Sequence, residues 1–309
     1  MGDIVESWGR KSKVRYLFTI FVLSGCANVD SISNRTEFDR AMTMEAYGEL
    51  KHARPYELVV KKADAELLYL GVEHSTNPLS ETNKLLQEVF SRYAPTKIYI
   101  ESPLRVPKPT IAETVSSYGE SGVLMYIANE RKIEIESLDL PVREEIEQVA
   151  SKFGKEATAL FYGLRLTLQQ ERRATEFNRE VFLEQKVIPW LVLHGALPTT
   201  LNADEFLTPL PTLIKGAATL SSASLEWFDP LRARDATVFN EISRYLIDLR
   251  DRRMIKMLVM DIRRGHKILA ATGVSHVVMQ EPDIRRLVGC TSKQYDGRFL
   301  ESPSIANCD

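Results

Sequence analysis

Two short apolar runs, at 57–60 and 66–70, are separated by Lys61-Lys62-Ala63-Asp64, a spacing that predicts a hairpin or a bulged strand pair. Leu67-Leu68-Tyr69-Leu70 is apolar on both faces, the pattern of a strand buried inside a sheet. Between 79 and 93, Leu85, Leu86, Val89, Phe90 and Tyr93 recur at helical spacing. A second buried strand is predicted over Lys97–Ile100, ending at Glu101-Ser102-Pro103, then a helix over 119–131 and an alternating strand over 133–138. This order predicts an α/β (α+β) chain with a central mixed, partly parallel sheet covered by helices.

Beyond residue 142 the period becomes helical as far as 196, with Leu160, Phe161, Leu164, Leu168, Phe177, Val181 and Phe182 on recurring faces. The proline-rich stretch 197–230 predicts loops and short helices, and together these make an inserted helical subdomain at about 142–230. Asp229-Pro230 reads as a helix start. A long amphipathic helix over 231–264 turns Phe239, Ile242, Leu246, Leu249, Met254, Met257 and Leu258 inward. The last strand is expected at 267–272, running into Gly273-Val274-Ser275-His276, and a short helix over 281–289 closes the domain.

At the other end, Arg10, Lys11, Lys13 and Arg15 precede an apolar stretch over 16–23 that closes in Leu23-Ser24-Gly25-Cys26. This is the layout of a secretory signal, and it falls well short of the roughly twenty residues a spanning helix needs. Leu-Ser-Gly-Cys resembles the lipobox of bacterial lipoproteins. The resemblance implies that Cys26 is acylated, anchors the chain to a membrane and becomes the first mature residue, several acyl chains being needed for stable attachment. The chain is then read as a signal peptide (1–25), a tether and leading segment (26–55) and one domain (56–309). The expected location is the cell envelope. Ala27, where an aspartate would retain the protein at the inner membrane, points to the outer membrane in a Gram-negative host.

An oxidising compartment changes the reading of the other cysteines. With Cys26 lipidated, Cys290 and Cys308 are an even pair and are expected to form a disulfide. A formal net charge of −2 leaves no electrostatic footprint for nucleic acid. Neither a Gly-x-Ser-x-Gly elbow nor a phosphate-binding loop nor Cys-x-x-Cys is present.

The candidate chemistry lies in two matching contexts: Gly71-Val72-Glu73-His74 after one predicted strand and Gly273-Val274-Ser275-His276 after another. With 15 glycines and 5 histidines in 309 residues, chance supplies about a quarter of one such match, so two mark a shared context. Ligands of open α/β sheets bind beyond the carboxyl ends of strands, where both motifs and Glu101 are predicted. Two imidazoles and a carboxylate suit a divalent metal such as Mn, Co, Zn or Fe. They equally suit metal-free catalysis, with histidine and carboxylate sharing the general-base and orienting roles. The glycines are expected to let the chain turn sharply over the strand ends. Glu73, beside His74, is a further candidate carboxylate, whereas His52, His194 and His266 have no matching context.

On the paired Gly-x-x-His motifs, Glu101, Gly119-Glu120 before a helix and Arg252-Arg253-Met254 before the last strand, the chain resembles the TraB/Tiki group. The wider superfamily of that group includes ChaN-like haem-uptake lipoproteins and erythromycin esterases. The resemblance spans most of residues 65–290. It implies a hydrolase-like fold with His74, Glu101 and His276 at its centre and Arg253 as an anion-stabilising group. It also implies cleavage of a peptide or ester bond, metal-dependent in Tiki-like members, in a peptide or small-molecule substrate. Gly71 stands where the esterase pattern has a glutamate, which argues against macrolide hydrolysis. The alternative that the same resemblance offers is uptake of haem or iron without turnover.

Overall fold

Eight strands run through the described residues: β1 (Lys51–His52), β2 (Tyr56–Lys62), β3 (Ala65–Val72), β4 (Lys97–Ile100), β5 (Glu134–Ser137), β6 (Lys267–Gly273), β7 (Phe299–Leu300) and β8 (Ser304–Cys308). The computed structural model describes residues 37–217, 219–232, 234, 236–290, 299–300 and 304–308. The signal-like segment and Cys26 therefore lie outside the described residues. No described helix is long and apolar enough to cross a membrane.

Six strands form one sheet in the order β5-β4-β6-β3-β2-β8. The run β5, β4, β6, β3 is parallel throughout, and β2 returns antiparallel to β3 with β8 parallel to β2. The architecture is thus the mixed, partly parallel sheet that the apolar runs predict. Alternation along β3 explains why the strand is apolar on both faces. Leu67 and Tyr69 join one core with the helix Val274–Val288, while Leu68, Leu70 and Val72 join another with the helices Glu81–Tyr93 and Ser121–Arg131. Because the four parallel strands point the same way, their carboxyl ends share one edge of the sheet. Register sets Val72 opposite Gly273 on that edge.

A third core belongs to the helical region. It gathers Phe161, Leu164, Leu183, Ile188, Phe206 and Phe239, from helices that include Lys155–Glu171 and the first half of Val238–Arg263. Residues 36–309 nevertheless make one compact unit. The long helix is what joins them: Phe239, Ile242 and Leu246 serve the helical core, whereas Met254, Ile255 and Leu258 serve the sheet.

Three element boundaries differ from expectation. The long helix starts at Val238 rather than 231, because Thr237 and Asn240 form its capping box while the Asp229 carboxylate accepts from Leu231 N in a separate turn. A helix over Ile111–Tyr118, capped by Thr110 and Glu113, precedes the expected one at Ser121–Arg131. The last helix runs over Val274–Val288 instead of 281–289, with Pro282 in its interior. A proline there removes one backbone bond. Burial of Val274, Val277, Val278, Ile284 and Val288 against β2, β3 and the long helix keeps it continuous. The consequence is functional, since His276 sits in the first turn of a helix and not in a loop.

Cys290 and Cys308 form a disulfide with Cα atoms 4.3 Å apart, fastening the end of β8 to the chain two residues past the last helix. The bridge closes a separation of 18 residues, and on the chain-entropy model such a loop contributes about 3 kcal/mol. Thiol titration of denatured, unreduced protein is expected to find neither cysteine free. The Cys290→Ser/Cys308→Ser variant should unfold in urea with about 3 kcal/mol less stability.

Candidate active site

β3, β4 and β6 deliver one side chain each to the shared edge. His74 lies two residues past β3, Glu101 directly after β4, and His276 in the helical turn after β6. They meet over Gly273. A Cβ built on that glycine would stand 3.4 Å from His74 Nε2, 3.5 Å from Glu101 Oε2 and 3.9 Å from His276 Cδ2. The role of the two motif glycines is therefore space. Gly273 has an ordinary φ of −58°, and Gly71 is not among the residues with positive φ. At Gly71 a Cβ would come within 2.9 Å of Val274 Cα, so its absence lets β3 approach the start of the last helix. This corrects the expectation of sharp turns at these positions.

Each imidazole is held from behind by a buried carboxylate. His74 Nδ1 donates to Glu120 Oε1 at 2.6 Å, and the other oxygen of Glu120 accepts from Ser75 N at 3.2 Å. His276 Nδ1 donates to Asp251 Oδ1 at 2.5 Å, and Gln280 Nε2 donates to the same oxygen at 2.6 Å. An ionised carboxylate only accepts, so these contacts fix both Nδ1 atoms as donors and turn both Nε2 atoms to the front. Exposure separates the two. The His74 side chain is 64% exposed, against 9% for His276.

Glu101 occupies the centre. Its Oε2 accepts from Gly273 N at 2.7 Å, its Oε1 lies 3.2 Å from His276 Nε2, and Arg250 Nη1 is 3.9 Å away. Burial alone would raise this carboxyl, but His276, the Gly273 amide and Arg250 together hold it down at about 2. For His276 burial works toward the neutral ring, and the charges of Glu101 and Asp251 outweigh it, raising the imidazole to about 10. His74 is raised as well, first by its hydrogen bond to Glu120. The pair at the centre is therefore an imidazolium and a carboxylate.

The arginine at this site is Arg250. Its Nε donates to Glu145 Oε2 at 2.9 Å, and Tyr162 Oη donates to the other oxygen of Glu145 at 2.7 Å, so the helical region aims this guanidinium at Glu101. Arg253, the expected anion-stabilising group, pairs with none of His74, Glu101 or His276 among the described residues, and its Nε is buried without a hydrogen-bond partner. Glu73 also stays outside. It is exposed, faces Arg54 at 3.6 Å and lines a cleft of about 500 Å³ with Glu81, Lys84 and Glu88.

Two supporting residues carry only weak signals in the sequence. Glu120 stood in the Gly119-Glu120 step, and Asp251 in the charge run 250–253, where burial cannot be told from exposure by composition. A third, Arg40, had none. Its side chain is only 3% exposed, places Nε 2.8 Å from Asp251 Oδ2 and also contacts Met42 O and Asp248. Arg40 lies in the segment expected as tether and leading segment, which also holds the short helix Met44–Glu49.

No group of three or more His, Cys, Asp or Glu side chains among the described residues is arranged to hold a metal ion. The reason is visible at Glu101, whose oxygens are engaged by the Gly273 amide and the His276 ring with Arg250 adding positive charge. As arranged, the centre does not fit a divalent cation.

Comparison with known proteins adds no assignment: no protein-family model matches the chain, and neither a curated protein nor a solved structure matches it. The likeness to the TraB/Tiki group rests on the motif residues alone.

The titration shifts set a pH signature. The contribution of His276, raised from 6.5 to about 10, is complete below pH 6.5 and lost as pH rises toward 10. That of Glu101, lowered from 4.5 to about 2, is complete above pH 4.5 and lost as pH falls toward 2. The stability difference between the natural chain and a Glu101→Gln/His276→Gln variant should be largest between these limits and shrink on both sides. A difference in urea midpoint that stays flat across pH would exclude the buried pair. Separately, Arg40→Ala leaves Asp251 Oδ2 without its guanidinium while His276 still faces Oδ1, and should destabilise the chain by up to about 3 kcal/mol, the low end for removing one partner from a buried ion pair. An Arg40→Ala chain that unfolds at the natural urea concentration would remove Arg40 from this network.

Proposed function

We propose that this chain is a hydrolase of the cell envelope, held to the membrane through a lipidated Cys26, that cleaves a peptide or ester bond with water activated at the His74–Glu101–His276 centre. The observation that carries this reading is the convergence of two imidazoles and a carboxylate over Gly273, each imidazole oriented by its own buried carboxylate. A fold gains little from an imidazole as exposed as that of His74. Catalysis gains an oriented proton acceptor that solvent and substrate can reach.

The roles divide by environment. His74, when neutral, takes the proton of an attacking water through Nε2 while Glu120 steadies the ring from Nδ1, the logic of a histidine and its orienting acid. His276 stays charged between Asp251 and Glu101, and Arg250 faces the same Glu101. These fixed charges meet the oxyanion that develops when water adds to a carbonyl carbon. Glu101 holds both cations at the front of the sheet and is too weak a base to compete for the proton. The TraB/Tiki resemblance agrees with this chemistry. It also keeps a metal-dependent form in view, in which Mn, Co, Zn or Fe would require His276 and Glu101 to separate first.

On a peptide and ester panel, His74→Ala and His276→Ala in the full chain are each expected to lower turnover by about 10²–10⁴. Full activity in both would sink the assignment. Metal analysis of the same preparations separates the two forms of the mechanism: stoichiometric metal lost in the double variant would replace the metal-free steps. Added haem giving a Soret band without any turnover would favour the uptake alternative.

A further inference from the structure

One more carboxylate reaches the working edge of the sheet. β5 lies beside β4, with Ser137 in register with Ile100, and Leu138 N donates to Ile100 O at 2.9 Å. Asp139 is the next residue, one strand across from Glu101. Its amide donates to Ser137 Oγ at 3.2 Å, which fixes the backbone at this bend. Its side chain is treated quite differently from the other acids here. Glu101, Glu120, Glu145 and Asp251 each accept from named donors, whereas Asp139 Oδ1 is buried with no hydrogen-bond partner.

A buried carboxylate oxygen without a donor is costly when ionised and much less so when it carries a proton. The charges around Asp139 come from four packed elements. Glu101 on the β4 edge and Glu145 on the helix Val142–Phe153 favour its protonated form. Arg250 on the long helix and His276 on the last helix oppose them. Burial is the largest influence, and the balance raises this carboxyl above its ordinary 3.8 while its neighbour Glu101 is driven down to about 2. Two carboxyls one strand apart, pushed in opposite directions, are the arrangement by which one fold keeps an acid and an anion side by side.

We propose that Asp139 is the general acid of this centre, giving its proton to the leaving group. The inference rests on the hydrolase reading above. Water adds through its oxygen to the carbonyl carbon, and His74 Nε2 takes the proton released. As the tetrahedral intermediate collapses, the bond from carbon to the leaving nitrogen or oxygen breaks and its electron pair stays on the leaving atom. That atom takes the proton of Asp139, leaving an aspartate anion. The proton held by His74 then returns to Asp139 through solvent, so the cycle consumes one water and no other reactant. This role points to substrates with poor leaving groups, amides or alkyl esters, since an acidic leaving group departs unprotonated.

The test is a leaving-group comparison on the full chain, using p-nitrophenyl butyrate and ethyl butyrate together with an alanyl peptide amide. Asp139→Asn preserves the shape of the side chain and removes the acid. It is expected to slow the ethyl ester and the amide by about 10²–10⁴ while changing the p-nitrophenyl ester by less than about threefold. His74→Ala should slow all three, so loss of the hydrolase reading and loss of the Asp139 role are distinguishable. Equal slowing of every substrate by Asp139→Asn, or slowing of none, overturns the general-acid role. A natural chain that hydrolyses no probe overturns the hydrolase reading and the Asp139 role with it. Asp139→Glu, which keeps an acid at the site, should restore part of the ethyl ester rate and none of the p-nitrophenyl rate, because the latter was never lost.

Discussion

A carboxylate taken out of water must find compensating charge and hydrogen bonds, and much of the strand-end architecture meets that requirement at Glu101. Three separate elements answer it: the Gly273 amide at the end of β6, the His276 ring in the first turn of the last helix, and the Arg250 guanidinium on the long helix. The two side chains among them are themselves held from behind. Asp251 and Gln280 fix His276, Glu145 and Tyr162 fix Arg250, and Arg40 faces Asp251. Pull out either charged side chain and a buried charge is left without a partner, which couples the site to the fold.

That coupling gives the helical region a purpose that its own core does not disclose. Its apolar residues pack as a self-contained cluster, yet Glu145 and Tyr162 project from it to the guanidinium of Arg250. The long helix crosses from this cluster to the sheet and carries both Arg250 and Asp251 at the crossing. Adjacent residues on a helix point about 100° apart. One therefore serves Glu101 from the side of the helical region while the other serves His276 from the side of the last helix.

The contrast between the two histidines follows from the same geometry. His276 begins a helix that is buried on β2 and β3, so it is enclosed and its charge is compensated twice. His74 sits past the end of β3 on a loop held by Asn83, whose amide donates to Ser75 O and Asn77 O. It meets solvent and has one carboxylate behind it. A matching Gly-x-x-His context thus places two rings at one edge and leaves their surroundings to the different elements that follow.

By itself the sequence determined five of the strands, β2 to β6, and the residues at their carboxyl ends, because alternating or continuous apolar runs allow few other arrangements and a strand end is a local feature, whereas β1, β7 and β8 had no such run. His74, Glu101 and His276 were placed at one edge for that reason, and the pairing of Cys290 with Cys308 was legible from cysteine count and the expected oxidising compartment. Helix limits were less so: a capping box at Thr237 and the continuation through Pro282 depend on contacts that no local signal announces. Which arginine serves the site, Arg250 rather than Arg253, and which acids stand behind the histidines, were decided only by tertiary structure. Burial and the hydrogen-bond partners of a charged residue are set by elements far apart in the chain, from Arg40 to Gln280, and a run of charges reads the same whether it faces water or the centre of the molecule.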